Sequence, residues 1–232
     1  MRREMTNRIR YVLEDIMPPV LRDSSLFRAA ASMAWGNHVA DLARFRERAA
    51  FLTDEEYEAL YRKHPRVHED TDNSDGCIAA ITADIAGVSA VDVGCGTGAL
   101  LRRVREARPD LTALAGVDFV IDPELKDEGI RYFAAKVETL PFPDKAFDTV
   151  ICTHVIEHIV EYRVAIAELR RVARRRLIIV VPREREYRYT FNPHVNFFPY
   201  THSFLRAMMP VPDAHHIREI GRDIYYREDV GA

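Results

Sequence analysis

Three glycines at alternate positions sit between an apolar run and a helix-forming run: Val91-Asp92-Val93-Gly94-Cys95-Gly96-Thr97-Gly98-Ala99-Leu100. Glycine lets a chain turn tightly and lets a ligand approach the backbone closely. The helix start expected near Gly98 offers free N–H groups and a partial positive charge to an anionic group. The spacing narrows the choice of ligand. Ala99 stands where the dinucleotide fingerprint Gly-x-Gly-x-x-Gly has its third glycine, and no Gly-Lys-Ser/Thr of a Walker loop follows. The next apolar run ends in Gly116-Val117-Asp118-Phe119, with Asp118 20 residues past Gly98. A carboxylate there can accept both hydroxyl protons of a ribose, and Phe119 can pack on an adenine face. The competing reading is a bare turn beside a solvated strand end. The recurrence of the pieces where a βαβ ligand site needs them weighs against it.

A second group of residues could move protons. His154-Val155-Ile156-Glu157-His158 has the H-x-x-E-H spacing of inverted zincins. On a helix, histidines at i and i+4 can share a metal. Here they follow an apolar run at 147–152, and the sequence identifies no third ligand, so no metal is expected. At the carboxyl edge of a strand, either His158 or His154 is instead a candidate general base for a hydroxyl nucleophile. The plainer alternative is that one of them caps or packs a helix. Further on, Phe191-Asn192-Pro193-His194-Val195-Asn196-Phe197-Phe198-Pro199-Tyr200 reads as a substrate wall or lid, with His194 and Asn196 as its polar contacts. The run Arg170-Arg171-Val172-Ala173-Arg174-Arg175-Arg176 suits a helix C-terminus electrostatically and is expected to be a solvated edge.

The elements that must carry these groups change character along the chain. Residues 1–70 read as a helical extension. Ile9, Val12, Leu13, Ile16 and Met17 form one apolar stripe ended by Pro18-Pro19. Val39, Leu42, Ala43, Ala49 and Phe51 suggest a second helix. Thr53-Asp54-Glu55-Glu56 has capping-box spacing, so a helix should begin near Asp54, with Tyr57, Leu60 and Tyr61 on its face and His64-Pro65 closing it. The polar stretch 69–76 reads as a linker. Residues 71–232 then alternate between strands at 90–93, 114–119, 131–135, 147–152 and 177–181 and helices at 77–86, 98–107 and 159–173. A last helix and a strand pair near 217–220 and 224–226 complete the pattern. Such alternation predicts an α/β, doubly wound, mostly parallel sheet.

On these residues the chain resembles a known family. Val91-Asp-Val-Gly-Cys-Gly-Thr-Gly98 looks like motif I of class I S-adenosylmethionine-dependent methyltransferases. Leu140-Pro-Phe-Pro-Asp-Lys-Ala-Phe-Asp-Thr-Val-Ile-Cys-Thr-His-Val-Ile-Glu-His158 resembles the fourth-strand region of their small-molecule branch, which includes the ubiquinone and menaquinone methyltransferases. The resemblance covers residues 74 to about 182 and implies a seven-stranded Rossmann-like methyltransferase fold with S-adenosyl-L-methionine as cofactor. It also implies roles. Gly94, Cys95 and Gly96 would line the methionine part, with Asp92 helping to bind its amino group. Asp118 would hold the ribose and Phe119 would flank the adenine, with Val137 and Glu138 along the adenine edge. Thr153 would offer its backbone to the methionine end. Many relatives have Asp where Lys136 stands, and Lys cannot accept the hydrogen bond of an adenine amino group. In these relatives His-Val-x-Glu-His is common without a metal.

Composition bounds the rest. The chain has 232 residues, 47% hydrophobic and 30% charged, which fits a globular protein and excludes a disordered one. A net charge of -3 argues against a general nucleic-acid binder. No apolar run approaches the roughly 20 residues of a membrane span. Cys77, Cys95 and Cys152 form no CxxC, so reduced thiols in a cytoplasmic protein are expected. The expected activity is methyl transfer to a small molecule, on a hydroxyl oxygen of a sugar or secondary metabolite. N- or C-methylation and a non-catalytic cofactor-binding protein are the alternatives. The oxygen preference rests on the histidines and on the absence of Asn/Asp-Pro-Pro-Tyr after the fourth strand, where base and amide N-methyltransferases carry it. The expected partners are the small-molecule substrate and, in a homodimer, a second copy of the chain.

Overall fold

The computed structural model describes residues 11–35, 42, 45–63, 71–186, 188 and 192–231. Its strands are β1 Ser89–Val93, β2 Ala113–Asp118, β3 Ile130–Ala134, β4 Phe147–Thr153, β5 Ala173–Pro182, β6 His215–Ile220 and β7 Asp223–Asp229. They form one sheet in the order β3-β2-β1-β4-β5-β7-β6. The first five pair in parallel, and β7 runs antiparallel to both β5 and β6. The strand order reverses between β1 and β4, the switch point outside which doubly wound sheets bind ligands.

Helices on both faces explain why the central strands are buried along their length rather than at alternate positions. Every residue of β4 is buried. On one face, Val91, Val93, Val150, Leu177, Ile179 and Val181 pack with Ala165, Ile166 and Leu169 of a helix at Tyr162–Val172 and with Phe204 of a helix at Thr201–Ala207. On the other, Ala90, Leu114, Ile151, Ile178 and Val180 pack with the helices Asp75–Asp84 and Ala99–Ala107.

The N-terminal helices described are Ser25–Trp35, Phe45–Ala49 and Asp54–Lys63, preceded by short turns at Val12–Ile16 and Pro19–Arg22. The capping box forms as its spacing predicts. The Thr53 N–H donates to Glu56 Oε2 at 2.9 Å, and the Glu56 N–H donates to Thr53 Oγ1 at 3.3 Å. Tyr57 and Leu60 face a small core, whereas the Tyr61 side chain, Val39, Ala43, His64 and Pro65 lie outside the described residues.

Four expectations need correction. The stripe through Val12 and Ile16 is not buried, because the turn there is wide, with the Met17 N–H closing on Val12 O, and it rotates these residues off one face. Ile9 lies outside the described residues. Pro19 opens the next helical turn instead of merely ending the previous one, since its fixed φ suits a first helical position. Phe51 is 84% exposed, beyond the end of its expected helix. The helix expected from 77 begins at Asp75, because the Ser74 side chain accepts the Cys77 N–H and caps it there. All three cysteines are buried free thiols. Among the described residues no helix is long and apolar enough to cross a membrane.

Candidate active site

The glycine loop leaves β1 with its backbone tied to the neighbouring strand. The N–H groups of Gly94 and Cys95 both donate to Val117 O, at 2.7 and 3.0 Å, and Gly98 N–H donates to Cys95 O at 2.9 Å. Gly94 has φ +86, and a β-carbon there would lie 2.0 Å from Val155 Cγ2. Gly98 has φ +74, and its β-carbon would lie 2.1 Å from the Tyr132 hydroxyl. Both positions therefore need glycine for backbone conformation and for space. Asp118, ending β2, turns its carboxylate onto this loop: Oδ2 accepts the Gly96 N–H at 2.8 Å and Oδ1 the Val120 N–H at 3.3 Å.

The other residues expected at the cofactor end gather around this loop. Asp92 is buried on β1, and its charge, after burial itself, helps push the Cys152 thiol well above the ordinary range. Val137 is buried against the sheet. The Lys136 ammonium lies 5.9 Å from the Phe119 ring centroid, over its face. Lys136 thus meets Phe119 through a cation–π contact, a role open to Lys where acceptance of a hydrogen bond is not. Glu138 is partly exposed beside Val137. Thr153 Oγ1 accepts a 2.9 Å hydrogen bond from the side chain of Asn73, which is 6% exposed. Asn73 belongs to the stretch expected to be a solvated linker. Its polar, turn-rich neighbours gave no sign that it would dock on the tip of β4.

The histidines enclose a buried carboxylate. His154 leaves β4 with φ +56, a conformation that costs a non-glycine residue energy, and its N–H is held by Val180 O at 2.9 Å. Its Nδ1 lies 3.6 Å from Glu157 Oε1, and His158 Nε2 lies 4.0 Å from the same oxygen. Residues Ile156–His158 form a single tight turn, so the two histidines do not share a regular helix face. Glu157 is 1% exposed. Burial pushes its carboxyl up, but the His154 hydrogen bond and the surrounding histidine charges outweigh this and hold it below the ordinary range. For His154, burial opposes the charged form, yet the Glu157 hydrogen bond and nearby carboxylates raise it on balance. For His158, burial dominates, helped by repulsion from His194, and brings it down to about 4.

The loop after β5 completes the cluster. His158 Nδ1 is 3.0 Å from Pro193 O, and the His158 and His194 rings meet edge to face with centroids 4.7 Å apart. His194 Nδ1 is 2.5 Å from an oxygen of Glu184, itself 1% exposed. Asn196 donates its side-chain amide to Ile156 O at 3.0 Å and Ile159 O at 2.7 Å. It braces the histidine turn. Phe191 lies outside the described residues. Glu184 was not legible as a site residue, because it sits in the charged run Arg183-Glu184-Arg185-Glu186 that reads as surface.

The arginine run differs from its expectation. Arg170 grips Glu228 through two nitrogens at 2.6 and 2.7 Å. Arg171 pairs with Glu168 and Asp144, Arg174 and Arg175 with Asp148, and Arg176 with Asp229. Apart from Glu168, three residues before Arg171 on the same helix, these carboxylates arrive from elements distant in sequence, so the run joins elements together, while Arg174 and Arg175 stay exposed as a solvated edge would be.

Residues 91–181 match the family model described as a methyltransferase domain, and the strand order is that of the class I fold. This stretch is thus similar to a methyltransferase domain, and the sheet around it has the methyltransferase fold. The domain is 32% identical over 91 residues to a demethylmenaquinone methyltransferase of Roseiflexus sp. (strain RS-1), covering 37% of this chain and 38% of that protein. It is 33% identical over 89 residues to a malonyl-[acyl-carrier protein] O-methyltransferase of Serratia marcescens, covering 38% and 35%. The chain thus spans little more than a third of the length of these curated relatives. The methyltransferase fold extends further: a SAM-dependent methyltransferase from Aquifex aeolicus superposes with a TM-score of 0.53 at 15% identity, over 77% of this chain and 99% of that one. A [4+2]-cyclase also shares the fold, with a TM-score of 0.51 at 18% identity over 72% of this chain and 75% of that one. Methyltransferase domains of this class take S-adenosylmethionine as cofactor. The site fits such a group: a tight loop with glycine at every second position, and a carboxylate directed at its Gly96 N–H from the end of β2.

Proposed function

We propose that this chain transfers a methyl group from S-adenosylmethionine to a hydroxyl oxygen of a small molecule, a sugar or secondary metabolite. The observation that carries the reading is the contact between the Asp118 carboxylate and the Gly96 N–H, beside a buried histidine–carboxylate cluster at the same sheet edge. In this reading Asp92, Gly94, Cys95, Gly96 and Thr153 hold the methionine end, Asp118 the ribose, and Phe119, Val137 and Glu138 the adenine. The cofactor supplies an electrophilic methyl group on a sulfonium, whose departure needs no acid. The protein's task is to hold the acceptor in line and keep water out, which supplies several kcal/mol. His154 serves as the base. Its Nε2 is buried with no hydrogen-bond partner among the described residues, at the exit of β4.

The N-terminal helices act as the substrate cap. Tyr57 donates its hydroxyl to His158 O at 2.8 Å. Leu42, Phe45 and Ala49 pack with Val195, and the Arg46 guanidinium lies 4.8 Å from the Phe197 ring centroid. These contacts between the N-terminal helices and the His194 loop support that reading.

Calorimetry with S-adenosylhomocysteine tests the cofactor half. Asp118→Ala should weaken binding about 10–100-fold, the value of hydrogen bonds to a charged acceptor. Equal affinity in the variant removes the ribose assignment. The acceptor half is tested with a panel of hydroxylated, amino and carbon-acid compounds, read by mass spectrometry for the gain of one methyl group. Transfer to nitrogen or carbon alone overturns the oxygen assignment.

A further inference from the structure

The histidine cluster has features that methyl transfer alone does not call for. Glu157, His158 and His194 each offer a ligand atom, and these atoms all lie within 4.8 Å of one another. Two of the three come from the turn after β4, and His194 comes from the loop after β5, beyond the stretch that matches the family model. The tertiary structure therefore brings His194 to Glu157 and His158, a different set from the His154 and His158 pair that the H-x-x-E-H spacing offered.

Each imidazole is also held from behind. His158 Nδ1 faces Pro193 O at 3.0 Å, and His194 Nδ1 faces the Glu184 carboxylate at 2.5 Å. Metal-ligating histidines are oriented in this way, through one ring nitrogen bonded to a carbonyl or carboxylate while the other nitrogen ligates. Glu157 is fixed by its backbone, since its carbonyl accepts the N–H groups of Val195 and Asn196 at 2.8 and 3.0 Å. An independent observation points to a missing ligand: Glu157 Oε2 is buried and has no hydrogen-bond partner among the described residues. A buried carboxylate oxygen without a partner costs free energy unless something positive meets it.

We infer that Glu157, His158 and His194 form a binding site for a divalent first-row transition metal, with Glu184 and the Pro193 carbonyl orienting the two imidazoles. Two imidazoles and one carboxylate suit Zn2+, Fe2+ or Co2+. Bonds of about 2.1 Å keep ligand atoms within about 4.2 Å of each other, so binding requires only a small closure of the cluster. Three protein ligands leave at least one position open. Its use by an acceptor oxygen rests on the methyl-transfer reading, whereas binding of the ion does not.

The test uses the full chain without a tag, stripped with chelator and titrated with Zn2+ by calorimetry, and with Co2+ by visible absorption. One Zn2+ per chain is expected, with Co2+ giving the absorption of a site containing nitrogen ligands. His194→Ala and Glu157→Gln should weaken Zn2+ binding at least 100-fold. Glu184→Gln should weaken it about 10–100-fold, the usual effect of removing an orienting partner. His216→Ala, on exposed β6, should leave it unchanged. His194 sits on a partly exposed loop, so its variant guards against a folding defect in Glu157→Gln, and S-adenosylhomocysteine affinity reports folding in both. No Zn2+ uptake, or uptake that survives His194→Ala, overturns the site. A chain that binds S-adenosylhomocysteine but no Zn2+ sinks this inference alone, and one that binds Zn2+ but no S-adenosylhomocysteine sinks the cofactor reading alone.

Discussion

Single atoms decide what the glycine loop tolerates. At Gly94 a methyl group would meet Val155 Cγ2 at 2.0 Å while the backbone stays at φ +86. The conformation alone costs an L-residue about 1–2 kcal/mol, and the collision adds to it. Gly94→Ala should therefore lower Tm by several degrees, at about 2–4 °C per kcal/mol for a chain of this size. It should also abolish S-adenosylhomocysteine binding by calorimetry. Adding Val155→Ala removes the collision but not the φ strain, so it should recover part of the affinity. Intact binding in Gly94→Ala would show that the turn is not the cradle. His154 is decided at the same scale. If its Nε2 takes the acceptor's proton, His154→Ala lowers kcat by about 10²–10⁴-fold and leaves S-adenosylhomocysteine affinity unchanged. Unchanged turnover clears His154 of that role.

Between elements, buried ion pairs bind strand ends and helices together. Asp148 is 4% exposed and accepts the Val88 N–H at 3.0 Å and the Ser89 hydroxyl at 3.1 Å, with Arg174 and Arg175 on its other oxygen. Burial pushes its carboxyl up, but these bonds and charges outweigh that and hold it below the ordinary range. The folded state thus favours the ionised form. That stability is present above the unfolded pKa of about 4 and is lost as pH falls through the lower folded value. Asp148→Ala should destabilise by about 1–3 kcal/mol at neutral pH, and the gap from wild type should narrow in denaturant titrations below about pH 4. A gap independent of pH would show that packing, not charge, is what Asp148 provides. Arg170→Ala should cost more, about 3–5 kcal/mol, because it strands the 2%-exposed carboxylate of Glu228 beside the Tyr226 hydroxyl.

At the scale of the whole molecule, the N-terminal helices meet the loops after β4 and β5 through the Tyr57 hydrogen bond, a small apolar cluster and the contacts of Arg46 with Phe197 and Glu186. Tyr57→Phe removes the hydroxyl that bonds to His158 O. A neutral hydrogen bond contributes about 1 kcal/mol, so the variant should raise KM for the acceptor about 3–10-fold and leave S-adenosylhomocysteine affinity unchanged. A shift in cofactor affinity instead would place the helices over the wrong half of the site. The sheet itself was legible in the sequence. The run 177–181 is apolar at every position, and 90–93 and 147–152 are mostly so, because helices cover both faces, and the Thr53–Glu56 box located its helix within a residue. The partners of the arginine run were not legible, since Glu228 and Asp229 lie on β7 and Asp148 on β4, whose proximity no local pattern encodes.

The glycine spacing and the acidic residue after β2 are local: they lie on consecutive βα units, and turn sterics and helix-end electrostatics act within a few residues. For that reason the sequence alone determined the doubly wound, mostly parallel sheet and the glycine turn that leaves β1. The surroundings of Glu157 are not local. His194 and Glu184 reach it through a loop after β5, Asn73 reaches Thr153 from before β1, and Tyr57 reaches His158 from the N-terminal helices. Those surroundings then set what the groups do: burial lowers His158, whereas Glu157 and nearby carboxylates outweigh burial and raise His154, only four residues away. Only the tertiary structure decides such contacts, because they depend on which chain ends the packed sheet brings to one edge.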